Sequence, residues 1–243
     1  PGEAAAEALA AEMAPVLAAW AAWCSDHSEP TDAAERAATG VVLALPESAH
    51  TLRIEAGLLP WRRDATGQPQ LLRVSASRVC SGKPKSTTKT KGESKSDPKP
   101  RADKLVAPWL EQLALGASGR PCGLWVLGTD RIVRAGPVPE AEARERLAAL
   151  AAGWLEGTGE HGPWPTALAT GLAWLADRDP RAAYESGHQR RGDDQDPHLA
   201  RLFPRFADLA ADPRFEAVTA TLYGPFAAWL ATLRIDPLPD AVV

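Results

Sequence analysis

A mixed α/β (α+β) domain, with a small mixed sheet flanked by helices and followed by an all-helical C-terminal extension, is predicted by three features of the sequence. Short extended runs fall only in its first part, helical patterns precede and interrupt them, and beyond Trp164 there are only helical patches divided by Asp-Pro steps. The 243 residues are 45% hydrophobic and 24% charged, which suits one sizeable core or two small ones.

From Glu3 to about Cys24, Leu9, Met13, Leu17, Trp20 and Cys24 recur at three- and four-residue spacing and predict an amphipathic helix. A polar connection around Pro30 follows. Three extended candidates come next, GVVLAL at 40–45, TLRIEAGLL at 51–59 and QLLRVSAS at 70–77. In the second, Leu52, Ile54 and Ala56 alternate with Thr51, Arg53 and Glu55, the period of a half-buried strand.

Leu105, Trp109 and Leu113, with Val106 and Leu110, define a second helix, which Pro108 requires to start late or bend. GLWVLG and RIVRAG, separated by Thr129 and Asp130, read as a hairpin. Pro139, Glu140 and Glu142 open another helix, with Leu147, Leu150 and Trp154 on its buried face. Helical patches at 166–175, 197–203 and 215–233 complete the chain, with no further strand expected. Trp20, Trp109, Trp154, Trp174 and Trp229 lie on apolar helical stripes and are expected in the core.

Charge is unevenly distributed. Net charge is −4, yet all seven lysines lie between Lys83 and Lys104. That stretch has a balance of +5 and leaves −9 for the rest. Rich in Lys, Ser, Thr and Pro, the segment at about 81–104 cannot bury enough apolar surface to offset its ordering entropy, so a flexible insert is expected. It reads either as a solvated loop or as a phosphate-contacting arm.

Several chemistries have no visible seat. Cys24, Cys80 and Cys122 have no metal-ligand or disulfide spacing, and the histidines form no HExxH pattern. Neither a Gly-x-Ser-x-Gly elbow nor a Gly-Lys-Ser/Thr phosphate loop occurs. Asp193, Asp194 and Asp196 with Glu185 and His188 suggest either a metal cluster or a turn and helix cap; Gly192 before them and Pro197 after them favour the turn. No cofactor and no metal are expected. No apolar run suggests a membrane span, and a cytoplasmic protein is expected. Opening on Pro1 rather than methionine, the sequence reads as a piece of something longer.

Four stretches carry a family resemblance: AYESGHQRRGDDQDPHLARLFP at 183–204, LVAPWLEQLALGASG at 105–119, IEAGLLPW at 54–61 and FEAVTATLYGPFAAWL at 215–230. Together they resemble the C-terminal, nuclease-like part of the RecC (gamma) subunits of exodeoxyribonuclease V. The resemblance implies a degenerate restriction-endonuclease-like core over 1–158 and a helical extension over 159–243 packed on it. It also implies RecB-like and RecD-like helicase/nuclease subunits as partners, with a double-stranded DNA end and its separated single strands as the nucleic acid handled.

Active members of that fold hold magnesium with a carboxylate at the end of the second strand and an acidic-x-Lys triplet on the third. Aligned to this pattern, the chain has Pro60 at the first acid, with Arg73 and Ser75 at the acid and lysine of the triplet. No acid lies anywhere in 70–77, so no catalytic residue is assigned. Asp64 nearby reads as a turn carboxylate. Candidate DNA contacts are Trp61, Arg62 and Arg63, expected at a tip between strands, and Lys83, Lys85, Lys89, Lys91, Lys95 and Lys99 in the insert.

Overall fold

The computed structural model describes residues 2–30, 39–45, 51–56, 61–82, 97–159, 162–188 and 191–239. The chain divides into two compact units, one comprising Pro1–Val41, Ile54–Arg144 and Thr232–Val243, the other Val42–Arg53 and Glu145–Ala231. The fold class is mixed α/β, as the sequence predicts.

Helix α1 (Gly2–Asp26) is followed by a separate two-stranded sheet of β1 (Thr39–Ala44) and β2 (Thr51–Ala56), whose strands the division into units cuts, and then, in the first unit, by β3 (Trp61–Arg63) and β4 (Pro69–Val74). A short ladder of β5 (Cys80–Ser81) and β6 (Lys99–Pro100) leads into α2 (Ala102–Ala117), β7 (Gly123–Leu127) and β8 (Ile132–Ala135), and β9 (Arg234–Asp236) returns late in the chain. The main sheet has five strands in the order β3-β4-β7-β8-β9. Only β4 and β7 are parallel, in register Leu71 with Leu124 and Arg73 with Val126. Parallel neighbours need a long connection, and α2 supplies it.

Side-chain alternation builds the layers. Leu72, Trp125 and Leu127 pack with Val16, Ala19 and Trp23 of α1. Arg73 points the other way and reaches α2. Gln112, fully buried on α2, donates from Nε2 to the carbonyls of Cys122 and Gly136, each at 2.8 Å. It thereby ties the helix to the segments flanking β7 and β8.

The second unit is helical. After α3 (Glu140–Thr158), which runs in from the first unit, come α4 (Leu168–Leu175), α5 (Pro180–Tyr184), a 3-10 turn at Asp193–Gln195, α6 (Pro197–Leu202), α7 (Phe206–Ala210) and α8 (Phe215–Ala231). Tyr184, Leu209 and Phe215 form its core, with Trp174, Leu199, Phe203 and Phe206 packed around them. Asp179 and Asp196 cap α5 and α6, accepting from Ala182 N–H and from His198 and Leu199 N–H. Helix starts at the Asp-Pro steps follow from these caps.

The structure corrects five expectations. The three extended candidates do not form one meander: β1 and β2 pair apart, and the antiparallel neighbour of β4 is the three-residue β3, joined to it by a tight turn in which Gly67 has φ +83°. A strand does occur after Trp164: β9 pairs with β8, but three residues are too few to show a period. Pro108 lies inside α2, which starts at Ala102 and tolerates the loss of one amide donor.

Trp154 and Trp20 lie outside the core, 62% and 46% exposed, while Trp109 and Trp229 are buried. On α3 the indole of Trp164 packs against Gly153, where a Cβ would collide with it, and Trp154 projects outward. Finally, α1 is long and apolar enough to cross a membrane by length and composition alone, with mean hydropathy 1.3 over a window of which 17% is buried. Alanine accounts for much of that average, and Glu7 and Glu12 interrupt the apolar run of the helix.

Candidate nucleic-acid interface

Strand β4 ends in Arg73 and Val74, with Ser75 just beyond it. Its Arg73 guanidinium donates from Nε and Nη2 to both carboxylate oxygens of Glu111 on α2. Both side chains are partly buried, so the two-pronged pair neutralises a charge that the sheet end would otherwise hold uncompensated. Ser75 follows with its hydroxyl 2.9 Å from that of Ser77 and its N–H donating to Leu127 O at 2.8 Å. Among the described residues no three His, Cys, Asp or Glu side chains converge within metal reach. Pro60 lies outside the described residues.

Asp64 belongs to the turn after β3. Its Oδ1 accepts from Thr66 N–H, the Thr66 hydroxyl and Gln68 N–H, and its Oδ2 from the Gln70 amide at 2.9 Å. These bonds, that from the Thr66 hydroxyl foremost, hold the carboxyl below the usual carboxylate range. A depressed folded-state pKa contributes stability above the unfolded value, lost as pH falls through the folded one. Asp64→Ala is expected to cost about 1 kcal/mol at neutral pH, and thermal melts should show the gap from the parent closing in acid, as the pH falls below the usual carboxylate range.

The lysine-rich run is rooted close to the same strand ends. Lys83, Lys85, Lys89, Lys91 and Lys95 lie outside the described residues, but the flanks of the run are paired, Cys80 with Pro100 and Ser81 with Lys99, and Lys99 is exposed. Asp130, after β7, accepts from Val79 N–H at 2.9 Å and pairs with Arg78 at 3.4 Å, fixing the root of the run to the β7–β8 connection. Burial pushes the Cys80 thiol at this root up to about 11 and that of Cys122, before β7, up to about 12, which favours the protonated form of both.

Trp61 opens β3 opposite Leu71 and is 7% exposed, so it is not at a tip between strands. Arg62 turns towards the end of α1, donating to Cys24 O at 3.0 Å and pairing with Glu29 at 2.6 Å. Arg63 Nη1 donates to Gly67 O at 2.9 Å, and its guanidinium lies over the Trp61 ring.

The acids at 193–196 serve the helical unit. Asp193 accepts from Thr170 N–H and hydroxyl, Asp194 from Ser186 and Asp196 from the start of α6. Sequence reasoning missed Glu111 and Gln112, which sit in a helical run whose apolar stripe drew the reading.

The fold and site define a mixed α/β domain in which an arginine–glutamate ion pair joins the end of a central strand to the crossover helix. The chain belongs to the RecC C-terminal domain family, whose model matches residues 1–179. It is thus part of a RecC subunit of the RecBCD complex, which acts on DNA with RecB and RecD in repair and recombination. No curated protein sequence matches the chain.

Proposed function

We propose that this chain is a non-catalytic DNA-handling and subunit-docking domain of the RecBCD helicase-nuclease, acting in double-strand-break repair by homologous recombination in the cytoplasm. Its core is a degenerate restriction-endonuclease-like fold over 1–158, and 159–243 is a helical extension. The observation that carries this reading is Arg73: the strand that would present the acidic-x-Lys triplet presents a guanidinium already held by Glu111. A cation there repels magnesium, and its partner acid is committed.

DNA contact is assigned to the lysine-rich run, rooted beside that strand end, because clustered lysines neutralise phosphates without fixed geometry. Docking is assigned to α1, where Leu9 and Leu17 are 58% and 54% exposed beside Trp20. The test is DNA-end binding by the chain, titrated with salt in magnesium and in EDTA. Salt-sensitive binding that is equal in both supports the reading. Binding that requires magnesium contradicts it, and absence of binding at low salt leaves a pure docking module.

A further inference from the structure

We infer that Arg78 and Arg131, both held on Asp130 at the β7–β8 turn, form a fixed pair of guanidiniums that grips a phosphodiester of a DNA strand, as a site distinct from the lysine-rich run. Asp130 brings the two cations together. Its carboxylate accepts from Arg78 Nε at 3.4 Å, and its main-chain carbonyl accepts from Arg131 Nη1 at 2.7 Å. Asp130 is itself immobilised, because Val79 N–H donates to Oδ1 at 2.9 Å and Cys80 N–H to Oδ2 at 3.3 Å. Thr129 N–H donates to Ser77 O at 3.2 Å, and Gly128 N–H to Arg131 O at 2.9 Å closes the turn. Both guanidiniums and the Asp130 carboxylate also act on the Cys80 thiol, the acid raising its pKa and the arginines lowering it, so the three charges gather around one point of β5.

This arrangement suits an anion with several oxygens. The Asp130 side chain is 8% exposed and both its oxygens are occupied, so a single committed carboxylate faces two cations. Arg78, 45% exposed, also donates from Nη2 to Gly82 O. Among the described residues neither arginine has a further partner, which leaves Nη1 of Arg78 and Nε and Nη2 of Arg131 for a ligand. A turn-building role accounts for Arg78 through Asp130, but it gives Arg131 only one bond, to its neighbour's carbonyl. Guanidiniums already tethered to main-chain carbonyls lose little freedom on gripping phosphate oxygens, and their planar forks match that geometry where an ammonium does not. The adjoining ladder does not cancel the charge. Arg101, whose N–H donates to Val79 O, is paired with Asp103, and exposed Lys99 lies beside exposed Asp97.

The inference rests on the DNA-handling reading and is tested so that the two can fail separately. The complete RecBCD assembly is prepared with R78Q/R131Q, with R131Q alone, with R131K, and with the six lysines from Lys83 to Lys99 changed to glutamine. DNA-end affinity is measured across salt concentrations. Losing two phosphate contacts should lower affinity roughly tenfold and flatten the slope of log affinity against log salt by about 1–2. R131Q should give about half that change in slope. R131K should keep the parental slope, since the charge remains, while binding about threefold more weakly for want of the fork.

An unchanged slope in R78Q/R131Q, or in R131Q should the double variant fail to assemble, overturns the site even if affinity falls, since a structural role alone leaves the slope intact. If the lysine variant flattens the slope while the arginine variants do not, the site fails and the DNA-handling reading stands. If none of them does, both fail.

Discussion

Changing Lys83, Lys85, Lys89, Lys91, Lys95 and Lys99 to glutamine is expected to weaken DNA-end binding by the chain about a hundredfold at low salt, and to flatten its salt dependence by roughly 2–4. The estimate assumes that about half of these side chains meet phosphates at any moment. Outside the stretch from 83 to 104 the chain carries −9, which repels a polyanion, so the lysines supply the attraction. The effect should be equal for DNA ends of different sequence, because phosphate contacts carry no sequence information. Folding should be unaffected, and equal melting temperatures in parent and variant would separate lost contacts from lost structure. Unchanged affinity would remove the run from the DNA path.

Gln112→Leu is expected to cost about 2 kcal/mol of stability. The substitution roughly keeps side-chain volume but strands the carbonyl of buried Cys122 and removes the bond to that of Gly136, an exposed residue, both made by Nε2 at 2.8 Å. Each buried acceptor left unpaired costs about 1–3 kcal/mol, far more than the bond contributes when both partners are present. At an exposed position the same change would be nearly neutral. Chemical denaturation should show a lower midpoint at an unchanged slope, and a variant as stable as the parent would show that water or rearrangement satisfies those carbonyls. Glu111→Ala, one residue away, should cost less, because Arg73 is partly exposed and regains water.

Much of the fold was legible because its signals are local. The six-residue β4 and the Leu105–Trp109–Leu113 stripe of α2 are long enough to show a period, and Asp-Pro steps announce the caps at Asp179 and Asp196. Non-local pairing was not legible. Whether β1 and β2 join the main sheet depends on which strand edge meets β4, and β9 is defined by partners a hundred residues earlier. At the site, the absence of acid in 70–77 could be read directly, since it needs only the strand register to within a residue or two. The ion pair at the end of β4 could not, because Glu111 lies 38 positions away on the crossover helix. Trp61 was misjudged for a related reason: its neighbours Arg62 and Arg63 suggest a solvated tip, whereas the turn built on Asp64 folds β3 back onto β4 and covers the ring.

The central claim, that the sheet end is occupied by Arg73 and Glu111 instead of a metal site, is tested most directly by magnesium-dependent cleavage. Single- and double-stranded DNA would be incubated with the purified chain in magnesium and in EDTA. The account predicts the same negligible background in both. Cleavage that requires magnesium, survives further purification and is abolished by substituting one carboxylate of this chain would contradict it.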